Sequence, residues 1–154
     1  MISVEVETEK MVFSPVLGET SYQEDEVVLF PEGLIGFENN RRFIIKTKDG
    51  FKPFHWLLCL DEPGLLFPVI DPFLIMKDYR PRPSGNELQS IGIENSHDAR
   101  FLAVVTVGQT VDQVSVNLRG PIVINTSRNL GKQIILMESQ YLVKHPIKAG
   151  RHNN

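Results

Sequence analysis

The sequence predicts a mainly β fold, a largely antiparallel barrel or sandwich in a single domain with short helical turns. Three observations carry the prediction. Apolar residues come in short runs, several of them alternating with polar ones at the two-residue period of a strand. Glycine, proline and aspartate cluster between those runs, where turns need a fixed or positive φ. The chain has 154 residues, enough for one cooperative core and too few for two ordinary domains.

Taken in chain order, Ile2, Val4 and Val6 alternate with Ser3, Glu5 and Glu7 and predict an opening strand near a sheet edge, its outward glutamates discouraging foreign pairing. Residues 26–30 form a second apolar run, stopped by the turn Pro31-Glu32-Gly33. Leu34, Ile35, Gly36 and Phe37 keep apolar groups at a bend, so the bend is expected to be packed. Residues 42–47 and 53–60 flank Lys48-Asp49-Gly50, and Asp-Gly between apolar runs signals a hairpin. After the turn Asp61-Glu62-Pro63-Gly64, residues 65–70 read as a strand. Pro68 removes a ladder donor from it, which places it at an edge or a bulge. Asp71-Pro72-Phe73 forms the exit, with the Asp71 side chain capping the turn. Residues 77–86, rich in proline, read as an exposed excursion, and residues 87–91 as one or two helical turns before Gly92. Residues 101–107 predict a buried strand, and Val114, Val116 and Leu118 a half-exposed one. Ile122 and Ile124 open the next strand. Residues 134–136 end the series, with Gly131 as the turn glycine before them. Seven or more short strands with such turns fit a barrel or sandwich.

Composition narrows the function classes. Apolar residues make up 42% and charged residues 23%, ordinary for a globular chain and far from disordered classes. No apolar run approaches the roughly 20 residues of a membrane span, and the first residues lack the basic and apolar regions of an export signal. A cytoplasmic protein without membrane contact is therefore expected. Cys59 is the single cysteine, which excludes an intrachain disulfide and a cysteine-rich zinc site; among Trp56, Leu57, Leu58 and Leu60 it reads as a buried thiol. The net charge of -3 hides a polarity. Residues 1–40 carry nine acidic side chains against Lys10, whereas from residue 113 onward six basic side chains stand against Glu138. Such a split either steers a partner or pairs internally.

Catalytic groups are sparse. His55, His97, His145 and His152 lack the spacing that places two metal ligands on one helical face. Asp61, Asp71 and Asp78 lie at strand ends, and two of them have a turn-capping explanation. Gly131-Lys132-Gln133 departs from a phosphate loop, which needs Ser or Thr after the lysine. Arg119, Arg128 and Lys132 accompany a basic C-terminal segment, but the chain is acidic overall and phosphate binding draws on clustered cations. No catalytic, metal or cofactor residue is nominated. A small hydrolase with a carboxylate/histidine cleft (Asp61, Asp71, His55) and a direct RNA-binding module stand as alternatives.

Three blocks carry a family resemblance: Phe30-Pro31-Glu32-Gly33-Leu34-Ile35-Gly36-Phe37; Pro68-Val69-Ile70-Asp71-Pro72-Phe73; and Asn117-Leu118-Arg119-Gly120-Pro121-Ile122-Val123-Ile124-Asn125 with Leu130-Gly131-Lys132-Gln133. In order and spacing they closely resemble the FliW family of bacterial flagellar assembly factors, over about residues 4–146. The resemblance implies a cytoplasmic, non-enzymatic regulator with a mainly β, antiparallel β-barrel-like single-domain fold. It would bind newly made flagellin and also the translational repressor CsrA, taking CsrA off the flagellin message, so that RNA is touched by the partner rather than by this chain. The β domain is expected to span 1–146, and residues 147–154 to form a flexible basic tail. Carried over residue by residue, Phe37, Phe73, Arg119 and Asn125 are the partner-binding candidates. Gly33, Gly36, Pro72, Gly120 and Pro121 shape backbone. The competing structural roles are two core aromatics, a cross-strand ion pair and a turn amide. One stretch departs from the family pattern: where members commonly carry an acidic stretch after the Asp-Pro-Phe exit, this chain has Lys77-Asp78-Tyr79-Arg80-Pro81-Arg82-Pro83.

Overall fold

Alternating apolar runs become strands along most of the chain. The computed structural model describes residues 9–137 and 140–147, so the strand expected at residues 2–6 and the tail at 148–154 lie outside the described residues. In order, the elements are β1 (Lys10–Ser14), β2 (Gly18–Tyr22), β3 (Val28–Leu29), β4 (Arg42–Lys46), β5 (His55–Cys59), β6 (Leu66–Ile70), α1 (Gly85–Ser90), β7 (Ala99–Val107), β8 (Val114–Val116), β9 (Ile122–Asn125), β10 (Leu130–Gln133) and β11 (His145–Pro146). Short 3-10 turns fall between them. No helix among the described residues is long and apolar enough to cross a membrane.

β1 and β2 form a separate hairpin. The other strands form a sheet that closes on itself, as β7 pairs with β6 and also with β9, completing the ring β7-β6-β5-β4-β3-β10-β9. All pairings are antiparallel except β3 with β10, which meet in parallel at Leu29 and Leu130. The predicted barrel is thus realised with one parallel closure. Its interior holds Val28, Phe30, Phe43, Leu57, Cys59, Val69, Leu102, Ile122 and Ile124, and the Cys59 thiol is fully buried there as expected. A second apolar layer covers the outer face of β6–β9, where Ala103, Val105, Val116 and Val123 pack under Tyr79, Ile91, Ile93, Ile134, Leu136 and Tyr141. The run 101–105, apolar on both faces, follows directly from this double burial, whereas Thr106 and Val107 at the end of the strand expected to be buried are exposed.

β7 is long enough to serve two partners on one edge. Leu102 pairs with Ile122 and Val105 with Val116, so three steps of β7 face six steps of the returning chain. The excess is the bulge 117–121, which joins β8 to β9.

Three local expectations are corrected. Pro68 lies in an interior strand, not at an edge or bulge. The Cys59 N–H donates to the Leu65 carbonyl at 3.0 Å, so by antiparallel alternation Trp56 and Pro68 form a non-hydrogen-bonded pair and the Pro68 nitrogen faces β7. The β6–β7 ladder stops at Val69–Val104, and the proline sits where no donor is called for. Gly131 is a strand residue rather than a turn glycine: the turn residue is Asn129, with φ 52°. Residues 134–136 follow β10 as irregular chain. The 77–86 excursion is mostly exposed, as expected, and is pinned at Tyr79, which is buried and donates its hydroxyl to the Leu118 carbonyl at 2.6 Å.

The helix at residues 85–90 matches the expected turns. The Ser84 hydroxyl caps it by accepting from Glu87 N–H at 3.2 Å, and Gly92 leaves it at φ 75°. Ile147, assigned to the tail from sequence, still donates to the Val114 carbonyl at 2.9 Å.

Candidate protein-binding surfaces

The first surface is the open end of the barrel, where the bend after β3 is built by glycine. Gly33 has φ 66°, and a Cβ there would lie 2.5 Å from the Phe37 carbonyl oxygen, so this position requires glycine. Gly36 has φ 88° with open space around it. Leu34 and Phe37 exchange backbone hydrogen bonds, which buries Leu34 and turns Ile35 and Phe37 outward. The bend is therefore packed mainly through Leu34. Phe37 stands edge-on to Phe67 at 5.2 Å and remains 38% exposed.

Sequence blocks about a hundred residues apart meet at this end. Gln133 accepts from the Ile35 N–H at 3.0 Å and donates to the Gly120 carbonyl at 2.9 Å. Asn117 Oδ1 accepts from the backbone N–H of Arg119 and Gly120, and a Cβ on Gly120 would lie 2.9 Å from Asn117 Nδ2. The buried Pro121 carbonyl accepts from Ile134 N–H at 3.0 Å. Gly131 lies beneath the Phe30 ring. Gly33, Gly120 and Gly131 thus each allow a close approach, and the bend, bulge and β10 are fastened as one unit.

Arg119 and Asn125 behave differently from the two aromatics. Arg119 is half-buried, and its Nε donates to the Leu136 carbonyl at 3.4 Å, a backbone contact in place of the cross-strand ion pair considered from sequence. Asn125 is completely buried. Its amide donates to the Ile91 carbonyl at 2.8 Å and accepts from Ser127 N–H and Oγ at 3.1 and 2.9 Å. That geometry is a turn amide, with no surface left for a partner.

The exit after β6 forms a second surface. Asp71 Oδ1 accepts from Phe73 N–H at 2.9 Å and buried Pro72 opens the 3-10 turn, as the sequence predicts. Phe73 is 40% exposed and packs edge-on against Tyr79 and Phe101. It lines a cleft of about 390 Å³ with His55, Asp71, His97, Arg100 and Thr126. Burial pushes the His55 imidazole below its ordinary pKa, helped by Arg100 and opposed by Asp71. His55 Nδ1 is shared with Thr47 Oγ1 at 2.5 Å. Of the three groups nominated for a hydrolase, His55 and Asp71 therefore meet in one cleft, but no hydrogen bond joins them. Asp61 is elsewhere, accepting from the backbone N–H of Arg41 and Arg42.

A large apolar groove was missed from sequence. A groove of about 540 Å³ runs over the outer face of β5–β8 and is walled by Phe54, Trp56, Leu74, Val105, Val107 and Ile147 among others. Leu74 and Val107 are 62% and 63% exposed. The available signal was apolar residues on both faces of β5–β7. It reads equally as double burial, and only part of that outer face is covered.

The whole described β region corresponds to known proteins. The FliW protein family profile matches residues 11–147. This chain belongs to the FliW family. The flagellar assembly factor FliW of Natranaerobius thermophilus is 39% identical over 137 residues, 88% of this chain and 91% of that one. Its counterpart from Thermotoga neapolitana is 34% identical over 136 residues, covering 88% and 91%. A crystal structure of the flagellar assembly factor FliW superposes with a TM-score of 0.83 at 30% identity, covering 89% of this chain and 96% of that one. All three family blocks lie within the matched span. This family member is accordingly a flagellar assembly factor by descent.

Proposed function

We propose that this family member is a cytoplasmic, non-catalytic regulator that binds monomeric flagellin and the repressor CsrA. Flagellin and CsrA compete for it, so that flagellin synthesis follows flagellin consumption. The observation that supports the flagellin arm is the outer groove, a concave and mainly apolar surface of about 540 Å³ with exposed Leu74 and Val107 in its walls. Phe37 and Phe73 are further contact residues in this reading, each exposed at the edge of a cleft. Direct RNA binding is disfavoured by the net charge of -3.

Trp56 is the single tryptophan and lines the groove, so its fluorescence reports occupancy. Titrating monomeric flagellin should give a saturable change. Val107→Asp and Leu74→Asp should each weaken binding by about tenfold or more while leaving the melting temperature nearly unchanged. No saturable binding at physiological salt would sink the flagellin arm. A parallel titration with CsrA, read by calorimetry, tests the second arm independently.

A further inference from the structure

We propose that the cleft between Arg80, Arg82 and Tyr141 is a docking site for an acidic peptide segment of a protein partner, separate from the apolar groove. The backbone there is held from beneath. Tyr141 accepts from the Arg80 N–H at 2.8 Å and stacks edge-on against Tyr79 at 4.8 Å, while Tyr79 is anchored to the Leu118 carbonyl. Pro81 and Pro83 fix φ along a segment that has no regular structure. Arg80 and Arg82 line one and the same cleft, so they form a cationic pair there. Both are exposed, and neither has a carboxylate partner among the described residues, whereas Lys10, Arg42, Lys46, Lys52 and Lys132 each have one.

The two guanidiniums face a cleft of about 530 Å³ that they share with Met76, Asp78, Gln140 and Tyr141. Among the described lining residues Asp78 is the single carboxylate, set against two arginines. Guanidinium forks match carboxylates bidentately, and Met76 and Tyr141 offer apolar support for the methylene stems of glutamate. A nucleic acid would need a longer basic track than two arginines on an acidic protein. The occupant is thus acidic peptide. This site stands whether or not the groove binds flagellin.

The experiment uses the whole chain and a fluorescently labelled oligoglutamate peptide, with oligoglutamine and a single-stranded oligonucleotide as competing probes, read by anisotropy at low and physiological salt. Oligoglutamate should bind saturably, and the double variant Arg80→Gln/Arg82→Gln should bind about five- to tenfold more weakly. Lys48→Gln, on a remote turn, should leave affinity unchanged, and melting curves should show all variants folded. Equal affinity of the double variant and the parent, tighter binding of the oligonucleotide, or no binding of oligoglutamate would each overturn the proposal.

Discussion

Replacing Asn125 with alanine removes three hydrogen bonds from a site with no solvent access. The Ile91 carbonyl, itself buried, loses its donor, and the Ser127 N–H loses its acceptor. A buried polar group left unpaired costs about 1–3 kcal/mol; Ser127 is exposed enough for water to compensate in part, so the total is about 2–4 kcal/mol. For a chain of this size each kcal/mol moves the midpoint by about 2–4 °C, giving a fall of about 5–15 °C. Differential scanning calorimetry measures it directly. Asn125→Asp adds a sign test. A carboxylate there would face the Ile91 carbonyl oxygen, which raises its folded-state pKa above the unfolded value of about 3.9. Stability is then closest to the parent below about pH 4 and is lost as pH rises through the raised pKa. An unchanged melting temperature for Asn125→Ala, combined with lost partner affinity, would refute the turn-amide role and restore the contact role.

Two further outcomes follow from the geometry. Gly131→Ala places a Cβ 2.5 Å from Phe30 Cζ in a fully buried site, and overpacking of this kind costs about 1–3 kcal/mol; urea denaturation should show a lower midpoint with an unchanged slope, and parental stability would contradict the contact. The His55 imidazole should titrate below its ordinary value by NMR, with Arg100→Gln raising the midpoint and Asp71→Asn lowering it further. Because the folded-state pKa is depressed, His55 contributes stability above about pH 6.5 that is lost as pH falls through the folded midpoint.

The three family blocks were readable as backbone-shaping segments because glycine and proline act locally. Positive φ at Gly33 and the Asp71 cap at Phe73 follow from a few neighbouring residues. Pro68 shows where such local reading stops. Its missing donor was visible, but whether that donor mattered depended on which neighbouring strand its nitrogen faced and where that ladder ended. Gly131 failed as a turn residue for a similar reason: its need for no side chain comes from Phe30, a hundred positions earlier. The bulge 117–121 was equally hidden, since it is defined by two registers on β7 rather than by its own residues.

By itself, the sequence determined the strand-rich class, the turn chemistry, the buried Cys59 and, through its ordered blocks, the family. Those properties depend on short-range periodicity and backbone preference, which few residues suffice to set. Tertiary structure alone decided which apolar faces remain open and which polar groups are already used. Asn125 and Phe37 look equally available as letters in a chain. One is enclosed by Ile91 and Ser127, while the other is turned outward at the barrel mouth. The difference is made by long-range packing, and exposure, unlike periodicity, is a property of everything that surrounds a residue.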